Sequence, residues 1–335
     1  MSDQAAATAL VEGFSKLKVA LSRRIVGQEA VIEQVFIAMV AGGHSLLEGV
    51  PGLAKTLLVK SLAEAMHLTF RRVQFTPDLM PADITGTEII QEDRETGRRN
   101  FVFQEGPIFT QILLADEINR TPPKTQAALL EAMQEKTVSV EGESHVLPRP
   151  FHVLATANPI EYEGTYPLPE AQLDRFLLRV SFGYPSAADE LDVLKLRIAR
   201  RQEESYFEPV VDAATLVRMQ AAIETVDVED SLGRYIVSIV GATRTDARLL
   251  VGASPRGSLA LLLLARAHAV LHGRDFVVPE DVKAIALPAL AHRVSLRPEL
   301  WLRQIDPVAV VREVIESVPV PESGARPSYP GGVTS

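Results

Sequence analysis

The fold of this chain is limited first of all by a glycine-rich loop that stands between an apolar strand and a helical segment. The loop reads Gly-Val-Pro-Gly-Leu-Ala-Lys-Thr over residues 49–56, with a strand predicted before it over 45–48 and a helix after it over 57–66. In this order, backbone N–H groups of the loop and of the helix N-terminus point at a bound phosphate. On this motif alone, a Gly-Pro turn beside a chance Lys-Thr pair remains the alternative.

Most residues in and beside this loop have an expected place in a phosphate site. Lys55 is expected to contact the β- and γ-phosphates, and the hydroxyl of Thr56 to hold Mg²⁺. The usual motif has a glycine before the lysine, where this chain has Ala54, and we expect alanine to be accepted because it tolerates the conformation of a helix start. The other residues expected at the nucleotide are Gly49, Pro51, Gly52, Leu53 and Leu57.

A second pattern further along the chain strengthens the nucleotide interpretation. Residues 112–117 read Ile-Leu-Leu-Ala-Asp-Glu, a buried strand that ends in two carboxylates. Ligands of open α/β sheets lie at the carboxyl ends of the strands, so we expect Asp116 to reach Mg²⁺ and Glu117 to polarise the attacking water. An exposed Asp-Glu pair at a strand end is common, but its occurrence after the loop within one alternating segment favours a nucleotide site.

The first half of the chain alternates strand and helix patterns, which predicts an α/β domain with a five-stranded parallel sheet flanked by helices. A helix is predicted over 121–135, with Thr121 as its cap and Pro122 in its first turn. The predicted strands are 45–48, 70–75, 111–116, 152–156 and 177–182.

Two segments interrupt this plan, at 87–103 and 137–146, and both are predicted to be β-hairpins. Their expected tips are 92–98 and 141–143. Spacing alone leaves open whether the hairpins are functional or only decorate the surface.

After a Gly-Tyr-Pro breaker the pattern becomes helical up to about residue 318, which predicts a second, all-α domain. A capping box formed by Ser186 and Asp189 is expected to open its first helix. The predicted organisation is an N-terminal helix over 1–24, an α/β nucleotide-binding domain over 25–183, a helical domain over 184–318 and a disordered tail rich in Pro, Gly and Ser over 319–335.

Charge and composition narrow the classes of function. The formal net charge is −9, whereas a protein that holds many nucleic-acid phosphates normally carries a basic surface. The chain has no cysteine, which excludes disulfides and thiolate metal sites. Its longest apolar run, 259–265, is far shorter than the roughly 20 residues of a membrane span. With no signal-peptide pattern at the N-terminus, we expect a soluble cytoplasmic protein.

Several strings in the sequence resemble the MoxR family of AAA+ ATPases. They are Leu-Glu-Gly-Val-Pro-Gly-Leu-Ala-Lys-Thr at 47–56, Ala-Asp-Glu-Ile-Asn-Arg at 115–120, Ala-Thr-Ala-Asn-Pro at 155–159 and Leu-Pro-Glu-Ala-Gln-Leu-Asp-Arg-Phe at 168–176. Alanine before the loop lysine is usual in this family. The resemblance spans residues 20–318, with its specific part ending at Phe182. It implies an AAA+ P-loop core followed by a helical lid, with ATP and Mg²⁺ as ligands.

The resemblance also implies roles for residues outside the two motifs. Asn158 matches sensor 1, which helps to orient the attacking water, and Arg175 matches the arginine finger that reaches into a neighbouring subunit. Arg256 matches sensor 2 on the lid, and the segment Val26-Gly27-Gln28 matches the chain beside the adenine. The hairpins match the helix-2 insert and the pre-sensor-1 hairpin, which line the central pore in relatives.

Each of these residues also has a plainer interpretation. Asn158 stands before Pro159 and could simply make a turn. Arg175 and Arg256 could form surface ion pairs of little energetic value. Arg120 is explained at least as well by a local salt bridge as by contact with a neighbouring subunit.

His268 and His272 are spaced i, i+4, which would suit two ligands of one metal ion on a helix. The helix motif His-Glu-x-x-His is absent, because Ala269 follows His268, and the sequence shows no third ligand. We therefore expect no metal at these histidines.

With the resemblance included, the sequence indicates a homo-oligomeric, hexameric ring of ATPase subunits that remodels or activates a partner protein. MoxR relatives commonly act as chaperone-like factors for proteins with von Willebrand factor A domains and in the maturation of metal centres or complexes, so such a partner is expected.

Three other functions are alternatives to this one. A DNA translocase of the MCM-like type, whose relatives carry the same two insertions, is disfavoured by the acidic charge. A chelatase motor subunit is a further alternative, and only an assay with its partner protein would distinguish it from a remodelling factor. A bacterial enhancer-binding activator is disfavoured because its Gly-Ala-Phe-Thr-Gly-Ala loop is missing from 83–103.

Overall fold

The structure, a computed structural model, describes residues 3–92, 99–158, 165–200, 208–301, 303 and 305–321. Its helices are α1 (Asp3–Ser22), α2 (Glu29–Val40), α3 (Lys55–Ala65), α4 (Pro81–Thr85), α5 (Pro123–Glu135), α6 (Glu170–Leu173), α7 (Ala187–Arg200), α8 (Ala213–Ala222), α9 (Asp230–Thr245), α10 (Pro255–Leu271), α11 (Pro279–Leu290), α12 (Pro298–Trp301) and α13 (Pro307–Ser317). Its strands are β1 (Ser45–Glu48), β2 (Phe70–Gln74), β3 (Gly86–Glu92), β4 (Arg99–Glu105), β5 (Ile112–Asp116), β6 (Thr137–Val140), β7 (Glu143–Val146), β8 (His152–Ala157), β9 (Leu178–Ser181), β10 (Leu249–Val251) and β11 (Ser295–Leu296).

The centre of the molecule is the predicted five-stranded parallel sheet, in the order β2-β5-β8-β1-β9. Every residue of β5 is buried, because a parallel strand inside such a sheet is covered by helices on both faces. Strand β1 lies between β8 and β9, so the loop that follows it opens at the carboxyl edge of the sheet. The carboxyl ends of β2, β5 and β8 meet at the same edge.

The helix predicted over 121–135 begins later than expected. Helix α5 starts at Pro123, and Pro122 is its extended N-cap with φ −59° and ψ 153°. Thr121 does not cap it: its Oγ1 is buried and has no hydrogen-bond partner within the described residues. Pro123 at the first helical position removes one unpaired N–H, and the N–H of Thr125 donates to the Pro122 carbonyl at 3.0 Å instead of to a side-chain cap.

Both predicted hairpins form. The pair β3–β4 is antiparallel, and most of its expected tip, residues 93–98, lies outside the described residues. The pair β6–β7 turns through Glu141 and Gly142, whose φ values of 47° and 90° suit the two-residue turn that matches strand twist. The hairpins touch, because the rings of Phe103 and His145 stack with centroids 3.8 Å apart.

The predicted capping box opens α7, since the Asp189 N–H donates to Ser186 Oγ and the Ser186 N–H donates to Asp189 Oδ2, both at 3.2 Å. The lid is helical as expected, with one short antiparallel pair, β10–β11, that periodicity did not indicate. One cluster of buried apolar side chains runs from α1 and α2, through one face of the sheet, into α8–α11.

The expected tail, 319–335, lies outside the described residues from 322 onward. None of the described helices is both long and apolar enough to cross a bilayer.

Candidate functional site

The carboxyl edge of the sheet opens into a cavity of about 430 Å³. Its walls come from four separate parts of the chain: the glycine-rich loop with the start of α3, the end of β2, the end of β5, and the end of β8 with the residue after it. The lining residues are Pro51, Gly52, Ala54, Lys55, Thr56, Leu57, Arg72, Gln74, Asp116, Glu117, Thr156 and Asn158.

The glycines of the loop are required by close packing and by backbone conformation. A Cβ on Gly49 would stand 2.8 Å from the Cβ of Phe182, so a larger residue would push β9 away. Gly52 has φ 87°, which favours glycine. Leu53 packs against the core and anchors the loop.

Ala54 does not have the helix-start conformation expected for it. It lies in the left-handed region, with φ 58° and ψ 21°, as the N-cap of α3. A non-glycine residue there costs about 1–2 kcal/mol, so the alanine is accepted with strain rather than without it.

Lys55, the first residue of α3, donates its ammonium to the carbonyl of Gly49 and so bends back over the loop. Burial lowers the pKa of Lys55, while the carboxylates of Asp116, Glu117 and Glu48 oppose that shift. The ammonium is thus partly desolvated beside the glycine-rich loop. A partly desolvated cation gains more from an anionic ligand than one in water does.

Asp116 ends β5 with both carboxylate oxygens occupied. Oδ1 accepts from the hydroxyl of Thr156 at 2.6 Å, and Oδ2 accepts from Arg72 at 2.6 Å and 3.0 Å. The Asp116 carboxylate is nearly buried, and a buried charge is costly unless an opposite charge lies beside it. The guanidinium of Arg72 supplies that charge. Together with the Thr56 hydroxyl, the Asp116 carboxylate offers the hard oxygen donors that Mg²⁺ prefers, so the residues fit that ion.

Glu117 is held by contacts on both its backbone and its side chain. Its N–H donates to Thr156 Oγ1 at 2.8 Å, and its φ of 58° turns the side chain toward the cavity. Its Oε2 accepts from Gln74 at 2.6 Å and from Arg120 at 3.0 Å. The local salt bridge considered for Arg120 is therefore present.

Arg72, Gln74 and Thr156 were missed as site residues by the sequence analysis. Gln74 lies opposite Asp116 in the parallel pairing of β2 with β5, and Thr156 lies near the end of the neighbouring strand β8. Aligning the predicted strands by their carboxyl ends would have indicated these two residues. Arg72 shares the face of Gln74 two residues away, a weaker signal.

Asn158 follows β8, is nearly buried and lines the cavity, where the sensor 1 match places it. Val26, Gly27 and Gln28 lie outside that lining, in the connection from α1 to α2. The Gln28 amide donates to the carbonyl of Gly183 at 3.3 Å, next to the residue that packs on the glycine-rich loop. This segment therefore adjoins the loop from the β9 side.

The two predicted arginines do not line the nucleotide cavity of their own chain. Arg175 lines a separate cavity of about 410 Å³ beside α5, with Glu131, Glu135 and Gln172. Its Nε is buried and finds no hydrogen-bond partner in the described parts of the chain. Arg256 lies exposed in the first turn of α10.

A lid arginine holds the segment that carries Arg175. The buried Arg293, just beyond α11, donates to the Asp174 carboxylate at 2.7 Å and to the carbonyls of Phe176 and Leu177 at 2.8 and 3.0 Å. Ser254, the N-cap of α10, donates to the other oxygen of Asp174 at 2.8 Å. The lid and the Arg175 segment are thus joined through one carboxylate.

Comparison with known proteins agrees with this geometry. The family model "ATPase family associated with various cellular activities (AAA)" matches residues 44–178, and the model "AAA lid domain" matches 241–314. The protein YeaC of Bacillus subtilis, itself uncharacterised, is 47% identical over 301 residues, or 90% of this chain and 92% of that protein. The chaperone MoxR1 of Mycobacterium tuberculosis is 42% identical over 317 residues, or 92% of this chain and 82% of that protein.

A solved crystal structure from Cytophaga hutchinsonii, of a protein provisionally assigned as an ATPase, superposes with a TM-score of 0.87 at 39% identity, covering 95% of this chain and 97% of that one. Relatives this similar over nearly the whole length share the fold and the family. The chain belongs to the MoxR family of AAA+ ATPases.

Proposed function

We propose that this protein binds and hydrolyses MgATP and uses the energy to remodel a partner protein. The observation that carries the proposal is the convergence of Lys55, Thr56, Asp116 and Glu117 in one cavity at the carboxyl edge of the sheet. Lys55 and the loop N–H groups would hold the phosphates, and Thr56 and Asp116 would hold Mg²⁺. When bound, Mg²⁺ neutralises charge that develops on the phosphate oxygens.

Glu117 would act as the base toward the attacking water, with Asn158 orienting that water. Oε2 of Glu117 already accepts from Gln74 and Arg120. The attacking water would therefore approach the other carboxylate oxygen or replace one of these two partners.

We also propose that the active form is a homo-oligomeric ring, expected to be hexameric, with active sites shared between subunits. Arg175 lies on a cavity other than its own nucleotide cavity and has an unpartnered Nε among the described residues, which suits a group used on a neighbouring subunit. Arg256 would contact nucleotide from the lid. Phosphoryl transfer depends on positioning and charge, so a guanidinium added there contributes about 10³–10⁵ in rate.

The partner is proposed to be a cytoplasmic client or adaptor protein, expected to carry a von Willebrand factor A domain or to belong to a metal-centre or complex assembly. Support comes from the relative named as a chaperone and from the hairpins, whose described residues do not line the nucleotide cavity. The first hairpin exposes Ile90 and Phe101, apolar side chains suited to a protein contact. The second hairpin stands, in chain order, between the strand that ends at Asp116 and the strand that precedes Asn158. Movement of those strand ends would therefore shift the hairpin.

Two substitutions in the full-length protein test the ATPase proposal. Lys55→Ala removes a charged contact to the phosphates and should weaken ATP binding roughly 10–100-fold by calorimetry. Glu117→Gln should bind ATP normally and lower kcat about 10²–10⁴-fold, because the water loses its base. Lys60→Ala, which changes an exposed lysine on the same helix, is the matched control and should alter neither quantity. Equal ATP affinity in wild type and Lys55→Ala would remove the basis of the proposal.

A further inference from the structure

Two histidines at the C-terminal end of the lid helix α10, His268 and the C-cap His272, form a cluster with one glutamate of α2 away from the nucleotide cavity. One ligand atom from each of Glu33, His268 and His272 lies within 4.8 Å of the other two. The sequence offered no third ligand for the two histidines. Glu33 supplies it because α10 packs against α2, a contact between segments far apart in the chain.

The hydrogen bonds of the two imidazole rings orient them as metal ligands. His268 Nδ1 lies 2.6 Å from Asp281 Oδ1, and since a carboxylate only accepts, Nδ1 carries the proton. His272 Nδ1 likewise donates to the carbonyl of His268 at 2.9 Å. Both rings therefore keep Nε2 free of a proton when neutral. Metal-binding histidines have this arrangement, with the other ring N–H donated to a carboxylate or a carbonyl.

Asp281 supports His268 from a fully buried position. Its carboxylate also accepts from the Arg274 guanidinium at Oδ1 and from the N–H of Val278 at Oδ2 (2.8 Å), so each oxygen has a partner besides the histidine. The contact to His268 fixes the tautomer and the orientation of the His268 ring.

We propose that Glu33, His268 and His272 bind one divalent cation of the Zn²⁺ type and so join α2 to the lid. Two imidazoles and a carboxylate suit Zn²⁺ with a fourth position left to water, whereas Mg²⁺ and Ca²⁺ prefer oxygen ligands throughout. Tetrahedral ligand distances of about 2.0–2.2 Å place the ligand atoms roughly 3.3–3.6 Å apart. Glu33 is half-buried and His272 is exposed, so both have room to close the remaining gap.

A cation at this position would act on the lid. His268 and His272 lie at the C-terminal end of the helix whose first turn carries Arg256. Because a helix moves as a rigid rod, fixing one end to α2 restricts the positions open to Arg256 at the other end. The bound cation is thus a clamp on the lid and takes no part in phosphoryl transfer.

The test uses tag-free, metal-stripped full-length protein with Mg²⁺ in excess, titrated with ZnCl₂ in a calorimeter. Wild type should bind one equivalent, and Zn²⁺ should raise its melting temperature, because a ligand that binds only the folded state stabilises it. His272→Gln and Glu33→Gln should each weaken Zn²⁺ binding by about tenfold or more and lose the shift in melting temperature. His67→Asn, which changes an exposed histidine after α3, is the matched control and should behave as wild type.

Melting curves without Zn²⁺ establish that the variants fold, since both substitutions change side chains that are not fully buried. The proposal is overturned if wild type takes up no stoichiometric Zn²⁺, or if both site variants bind it as tightly as wild type. It is overturned equally if His67→Asn loses as much affinity as His272→Gln, because that result indicates nonspecific binding to surface histidines.

Discussion

At the scale of single residues, two buried histidines are held in the neutral form. His44 accepts the Val153 N–H at Nδ1 (2.9 Å) and donates Nε2–H to the Met133 carbonyl (3.1 Å), so a second ring proton would face another N–H. Burial, reinforced by the nearby His152, lowers the pKa of His44 to about 3. His152 is similar: burial lowers its pKa to about 4, against the hydrogen bond to the Gly43 carbonyl.

These histidines predict a loss of stability in mild acid. Their folded-state pKa values lie below the unfolded value of about 6.5, so the stability they contribute is complete above pH 6.5. It falls as the pH drops from there toward about 4. Each histidine should lower the free energy of unfolding by about 1.4 kcal/mol per pH unit in that window, as measured by urea unfolding.

His44→Asn isolates one of these titrations, because the Asn amide oxygen can still accept the Val153 N–H. The variant should be less stable at neutral pH, since it loses the ring contact with Phe151. Its stability should nevertheless fall less steeply with acid than that of wild type. An identical pH slope in the two proteins would show that His44 does not carry the titration.

At the scale of elements, the lid is held to the α/β core by the pairing of Arg293 with Asp174. The guanidinium is nearly buried, and it also donates to carbonyls of the chain around Arg175. The N-cap of α10, Ser254, and the residue Arg293 just beyond α11 are thereby joined to the same carboxylate. A change in lid position is therefore expected to displace Arg175.

Asp174→Asn tests how strongly that link holds. The substitution leaves the buried Arg293 without a counter-charge and should cost about 3–5 kcal/mol in urea unfolding. Asp192→Asn is the matched control, because it breaks an exposed pair with Lys195 and should cost less than about 1 kcal/mol. Equal losses in the two variants would mean that the buried pairing contributes no more than a surface one.

At the scale of the whole molecule, the residues proposed for catalysis are divided between two surfaces. Glu117 lines the nucleotide cavity, whereas Arg175 lines the cavity beside α5. One chain therefore does not place both groups at one phosphate in this conformation. Assembly in a ring, with each Arg175 at a neighbour's nucleotide, is the arrangement that would join them.

Mixing two inactive variants tests this sharing of sites. Arg175→Ala and Glu117→Gln should each lower kcat steeply, with the arginine worth about 10³–10⁵ in rate. A mixed ring contains some interfaces with an intact Glu117 facing an intact Arg175, so a mixture should recover steady-state ATPase activity that neither variant has alone. Sharing between subunits would be contradicted if no activity is recovered after subunit exchange has been demonstrated. It would be contradicted equally if light scattering shows a monomer with every nucleotide.

The sequence by itself determined the features that depend on local order along the chain. A strand, a glycine-rich loop and a helix in succession predict the phosphate loop around Lys55, and an apolar run ending in two carboxylates predicts Asp116 and Glu117. Alternation of strands and helices predicts the parallel sheet, because parallel strands need crossover connections. Turn signals between short strand patterns were enough to predict both hairpins.

Tertiary structure decided everything that depends on which distant segments meet. The strand order brings Gln74 and Thr156 beside the two carboxylates, and packing of α10 on α2 brings Glu33 to His268. The left-handed backbone of Ala54 was also decided by the fold, since the fixed positions of β1 and α3 force the loop through a conformation that alanine disfavours on its own. Local propensity is short in range, whereas these contacts exist only after the sheet and the lid have packed.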